Sequence, residues 1–212
     1  TDNPALVEIA AGYARIVGPS YLFISLTGIY VGAHRSMGNP RLGLVVFTIS
    51  MCTNTALNWV LIFGNLGAPR LEVKGAALAT LISRVVEFAA MAVYAGGNRR
   101  FRLRLSCLIR PGREIVRKFI HYSGPVVFNE GMWGLGTSLY KVIMGHMEGS
   151  TEILAARALA GNIEDICLVA IFAMAGTTGI TVGREIGSGR DSGTVYQVGA
   201  AMDTLALFCG LG

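Results

Sequence analysis

Charge is what this sequence has least of. Of its 212 residues only 15% are Asp, Glu, Lys or Arg, against about 25% in a soluble domain. The shortfall excludes a disordered chain, a coiled coil and a collagen-like fibre, and it argues against an ordinary soluble globule. Cysteine is sparse too. Cys52, Cys107, Cys167 and Cys209 are far apart and form no CxxC, so neither a disulfide framework nor a zinc site is expected. Catalytic signatures are missing. There is no GxxxxGK[ST] loop, no HExxH, no GxSxG and no His/Cys cluster with metal spacing. An enzyme is therefore not expected, and no cofactor is implied.

What the sequence does have is apolar length. It is 52% hydrophobic, contains 28 Gly and has a mean hydropathy of +0.54. These values point to an all-α polytopic membrane protein. Crossing a bilayer takes about 20 residues of helix. At ~30 residues per helix plus loop, 212 residues hold six or seven spans.

Breakers divide the chain. The spans are expected at about residues 5–32, 42–63, 73–94, 119–144 and 153–182, with a sixth from Thr194. Gly18-Pro19 interrupts the first and predicts a kinked helix rather than two. The chain opens on Thr1 and stops inside the apolar run Leu207–Gly212, so a piece of a longer protein is expected.

Lys and Arg fix the orientation. The connections 33–41, 97–118 and 183–193 carry twelve, and the connections 64–74 and 145–152 carry two, Arg70 and Lys74. The first set is cytoplasmic. Residues 97–118, with eight of the twelve, read as a topology determinant touching anionic lipid rather than as a nucleic-acid site. The same segment divides the chain into three parts: three helices over 1–96, the basic linker 97–118, and the helices of 119–212.

Polar residues at membrane depth are the candidates for function. Glu130 lies about ten residues into the fourth span, near mid-depth. Lys141 is eleven residues on, too far along the helix to pair with it. Glu164 and Asp165, with Asn162 and Arg157, form either a wetted cavity wall or a structural ion network. Arg84 and Glu87, at i and i+3, read as a structural pair. Asn54 and Asn58, at i and i+4, share a face, and Thr80 stands on the next helix. Their oxygens either bond between helices or ligate a hard cation such as Na⁺. His34, His121 and His146 fall in loops or at span ends, where solvation is expected. Bent helices, abundant Gly and a few buried polar groups suit alternating access to a solute.

The order of motifs resembles one family. Tyr13-Ala14-Arg15-Ile16 is followed by Gly18-Pro19 and by Arg35-Ser36-Met37-Gly38-Asn39-Pro40. Next come Asn54–Asn58, Leu61-Ile62-Phe63-Gly64, Gly67-Ala68-Pro69 and Gly75-Ala76-Ala77-Leu78-Ala79-Thr80. Pro125, Asn129-Glu130, Trp133-Gly134, Gly145-His146, Ala155-Ala156, Val182-Gly183 and Ile186-Gly187-Ser188-Gly189 complete the series. Together they are similar to the multidrug and toxic compound extrusion (MATE) transporters, bacterial members above all.

The resemblance implies a twelve-helix, two-bundle transporter in the bacterial inner membrane, monomeric when whole. This chain would supply helices four to eight and part of the ninth. It implies efflux of organic cations or drugs driven by entry of Na⁺ or H⁺. It implies that Asn54, Asn58 and Thr80 match cation-site positions of the first bundle, whose acidic residue lies on a helix outside this chain. Glu130 stands on the helix that carries the second bundle's carboxylate in several members, at a shorter offset from its proline. Glu164 and Asp165 remain further carboxylate candidates. The alternatives are a lipid-linked oligosaccharide flippase of the same superfamily and a membrane enzyme. The first would want several basic cavity residues, and the second an Asp-rich or His-containing cytoplasmic loop.

Overall fold

A computed structural model describes residues 4–98 and 112–211, with side chains to Phe208. Arg99, Arg100, Arg102, Arg104, Cys107 and Arg110 of the basic linker lie outside the described residues, as does the Cys209 side chain.

Every regular element among the described residues is helical. They are α1 (Pro4–Val17), α2 (Ser20–Ser36), α3 (Arg41–Phe63), α4 (Glu72–Gly97), α5 (Arg113–Gly145), α6 (Ser150–Gly187) and α7 (Ser192–Leu211). A 3₁₀ turn, Asn65–Gly67, follows α3. By length and composition α3, α4 and α6 can each cross a membrane. The pair α1 and α2, bent by 45°, meets the same measure only when taken together, as a broken span or a re-entrant loop. Its break falls at Gly18-Pro19, where Pro has no N–H to give the helical ladder. The Gly18 N–H still donates to Ala14 O at 2.8 Å, but residues 18 and 19 are a turn between two separate helices, not the single kinked helix expected from the sequence. This is a multi-pass helical membrane protein.

Large apolar side chains stand outward on every long helix. Phe128 and Trp133 of α5, Ile166 and Phe172 of α6, and Ile29 of α2 are all more than half exposed. In a bilayer such faces meet acyl chains instead of water, so they carry no penalty.

Several helices run past their expected ends. α2 continues to Ser36, α5 begins at Arg113 and α6 reaches Gly187. The first extension corrects the reading of His34. It is buried at 3% exposure on the last turn of α2, whereas His121 and His146 are exposed as expected.

The described chain forms two compact units. One comprises Thr1–Tyr30 with Gly43–Thr151, and the other Val31–Leu42 with Glu152–Gly212. In the first unit α4 is the hub. Its buried residues Gly75, Ala79, Ser83, Glu87 and Met91 recur every fourth position and so form one continuous stripe. α1 packs on α4, and Phe23 of α2 meets Phe88 with ring centroids 5.5 Å apart. In the second unit the Arg35 guanidinium lies against α6, so close that a Cβ at Gly176 would be 2.6 Å from its Nη2.

The α3–α4 hairpin is a tight joint. Gly64 turns the chain at φ +74°, a conformation open to Gly. The Leu71 N–H then donates back to Leu61 O at 3.0 Å. One turn later Gly75 rests on the α3 backbone, and a Cβ there would be 2.5 Å from Leu61 O. Small residues allow this approach, which is how helices associate in lipid, where apolar burial alone gives no drive.

Candidate functional site

Close approach at Gly75 sets the register of α3 against α4, and the register decides which polar groups meet. Two turns further along α4, Ser83 faces Asn54 of α3. The Asn54 Nδ2 donates to Ser83 Oγ at 3.1 Å. The Asn58 Nδ2 in turn donates to Asn54 Oδ1 at 2.9 Å. Ser83 Oγ donates to Ala79 O at 2.6 Å and lies 3.0 Å from Thr80 O. Ser50, one turn before Asn54, donates to Ser83 O at 3.4 Å. The result is a polar seam between two apolar helices, buried at Ser50 and Ser83 and half-buried at the two Asn. In a low-dielectric interior each such bond matters, because an unmade one leaves a desolvated dipole.

One group in the seam is left over. Asn58 Oδ1 is buried and has no hydrogen-bond partner among the described residues. An amide carbonyl has two lone pairs, and burying one unpaired costs about 1–3 kcal/mol. Such an oxygen is suited to a hard cation or an ordered water.

The structure thus brings Asn54 and Asn58 together, as their i, i+4 spacing expects. Thr80 is on the neighbouring helix, but its hydroxyl donates to Ala76 O of its own helix at 2.9 Å. The residue of α4 that bonds the Asn pair is Ser83, which reading the sequence missed. Its signal was present, since Ser83 is three residues from Thr80 and therefore on the same face.

The charged candidates are elsewhere. Arg84 and Glu87 pair directly on α4, with the Glu87 side chain 2% exposed. Glu130 stands on the exposed surface of α5, five residues beyond Pro125, with no ion pair among the described residues. Glu164 pairs with Arg157 at 3.3 Å, and both side chains are about half exposed. Asp165, beside Glu164, is exposed and also has no ion pair among the described residues. No group of three or more His, Cys, Asp or Glu able to hold a metal occurs among the described residues. A cation in the seam would therefore be held by neutral oxygens of Asn58 and its neighbours, which suits Na⁺.

Comparison with known proteins points to one family. The MatE family model matches residues 1–60. The probable multidrug resistance protein NorM of Rhodopseudomonas palustris is 30% identical over 89% of this chain and 40% of its own length. NorM of Mesorhizobium japonicum is 27% identical over 96% of this chain and 45% of its own length. The Thermotoga maritima NorM is 23% identical over 85% of this chain and 38% of its own length. This chain therefore spans less than half the length of these curated relatives. No solved structure matches it.

Proposed function

Because this chain belongs to the multidrug and toxic compound extrusion family, we propose that the whole protein is a secondary antiporter. It exports drugs or other small organic cations in exchange for Na⁺ or H⁺, by alternating access across the bacterial inner membrane. It is a transporter and not an enzyme. Residues 1–96 belong to the first helical bundle, 97–118 to a cytoplasmic linker and 119–212 to the second bundle.

The observation that carries the coupling half of this reading is the unpartnered carbonyl of Asn58. A polar seam that satisfied itself would be mere glue between helices. This one ends in a buried acceptor, and a bound cation would satisfy it. Of the candidates Asn54, Asn58 and Thr80, Asn58 offers the cation its open oxygen, Asn54 orients it, and Thr80 would have to leave Ala76 O to join them; the negative charge comes from outside the chain. Neutral oxygens do not titrate, so a proton-driven cycle would rest on carboxylates instead. Glu130, exposed and unpaired, is the foremost of these, with Asp165 and Glu164 behind it. The multidrug names of the relatives favour export over the flippase alternative.

Accumulation of a fluorescent cationic dye tests the export half. Cells expressing the whole protein should accumulate less dye than cells without it. Equal accumulation would refute drug export. For the site, Asn58→Ala should abolish any Na⁺-dependent rise in melting temperature. Equal Na⁺ responses in wild type and variant would make Asn58 structural.

A further inference from the structure

We propose that Ser83 is a positioning residue that sets the direction of the Asn54–Asn58 amide chain and thereby leaves Asn58 Oδ1 facing the cation. The proposal rests on the reading of Asn58 as a cation-holding residue, and it assigns the control of that residue to a side chain on the other helix.

The available protons fix the direction of each bond. A serine hydroxyl has one proton to give and lone pairs to accept with. Ser83 is 1% exposed, so water is not available to take that proton. Its proton goes to the backbone, at 2.6 Å from Ala79 O. All that Ser83 can offer Asn54 is a lone pair. Asn54 must therefore turn its NH₂ toward Ser83, where the distance is 3.1 Å. With its NH₂ committed, Asn54 points its Oδ1 at Asn58. Asn58 must answer with its own NH₂, at 2.9 Å. Its Oδ1 is then the group left without a partner, and it is buried.

Every amide in the chain is thus oriented by the one before it, and the chain starts at the Ala79 carbonyl. Reversing any link would turn the Asn58 NH₂ toward the cation. An amide NH₂ repels a cation where a carbonyl binds it. Ser50 reinforces the start of the chain by donating to Ser83 O from α3. Outer-shell hydrogen bonds of this kind commonly change metal affinity when removed.

Removing the Ser83 hydroxyl releases Asn54 to rotate, and Asn58 follows. The site is then a mixture of two amide orientations, only one of which binds. A structural hydrogen bond would behave differently. Its loss would lower stability equally at all Na⁺ concentrations and leave the Na⁺ midpoint in place.

The experiment is a thermal melting series of the whole protein over a Na⁺ titration, with K⁺ holding ionic strength constant. Wild type, Asn58→Ala, Ser83→Ala, Ser83→Cys and Ser83→Thr are compared. Ser83→Cys leaves no cavity and keeps only a weak acceptor, so it reports even if Ser83→Ala does not fold. Wild type should gain stability with Na⁺, and Asn58→Ala should not. Ser83→Ala and Ser83→Cys should raise the half-saturating Na⁺ concentration by about twofold or more, since a site competent half of the time binds half as tightly, and Ser83→Thr, which keeps the hydroxyl, should leave it near the wild-type value. If wild type responds and Asn58→Ala does not, but the Ser83 variants keep the wild-type midpoint, the positioning role is refuted and the cation site stands. If wild type does not respond to Na⁺ at all, the cation site fails and the positioning role fails with it.

Discussion

Gly75→Ala places one methyl group where the α3–α4 hairpin is closest. An added Cβ would be 2.5 Å from Leu61 O, 2.8 Å from Leu61 C and 3.2 Å from Ile62 N. All three are backbone atoms, so no side chain can swing aside to make room. Restoring ordinary contact at about 3.5 Å requires the helices to part by roughly 1 Å. Overpacking of this kind costs about 1–3 kcal/mol. The Asn54–Ser83 bond, at 3.1 Å, lies two turns along the same joint. If it lengthens by the same amount it passes out of hydrogen-bond range. The substitution should thus lower stability and weaken the polar seam together.

Gly28→Ala is the control. An added Cβ at Gly28 meets nothing within 4 Å, and in a helix Ala is favoured over Gly by about 0.5–1 kcal/mol. Thermal melting of the whole protein should place Gly75→Ala below wild type and Gly28→Ala at or above it. A Gly75→Ala protein as stable as wild type, with an unchanged Na⁺ response, would refute the argument that this contact sets the register.

Glu130→Gln should reduce dye export well beyond any fall in expression if this carboxylate, which has no ion pair among the described residues, carries charge as proposed; unchanged export would remove Glu130 from the mechanism. Arg104→Cys should resist an impermeant thiol reagent in intact cells and react after permeabilisation, as the twelve-to-two distribution of basic residues requires; labelling of intact cells would reverse the topology. Arg157→Ala breaks a half-exposed pair and should change stability by less than about 1 kcal/mol. A larger loss on melting would show that the pair is shielded in the whole protein.

Helices and their order were legible from the apolar runs, but six or seven spans were expected, and among the described residues three helices, or four spans with the bent pair, are long and apolar enough to cross a membrane. The bend at Gly18-Pro19 was legible from chemistry alone, because Pro lacks the N–H that a straight helix needs. The Asn54–Asn58 contact was legible because both residues share a helix, where i, i+4 neighbours must meet. Ser83 was only half legible: its place on the face of Thr80 could be read, but its meeting with Asn54 depends on the register of two helices. That register comes from the Gly75 contact with Leu61, a backbone approach that no side-chain pattern announces. His34 misled for a related reason. A polar residue beside Arg35 and a Gly-Asn-Pro turn looks like a loop, yet α2 carries it one turn further and buries it.

The central claim is that an ion gradient moves the solute through a site that includes Asn58. Proteoliposomes holding the whole protein test it, with a cationic dye on one side and an imposed Na⁺ or H⁺ gradient across the membrane. A Na⁺ gradient is expected to drive dye movement in wild type, and that movement should be lost in Asn58→Ala. Dye movement indifferent to either gradient, or driven equally well in both proteins, would contradict the account.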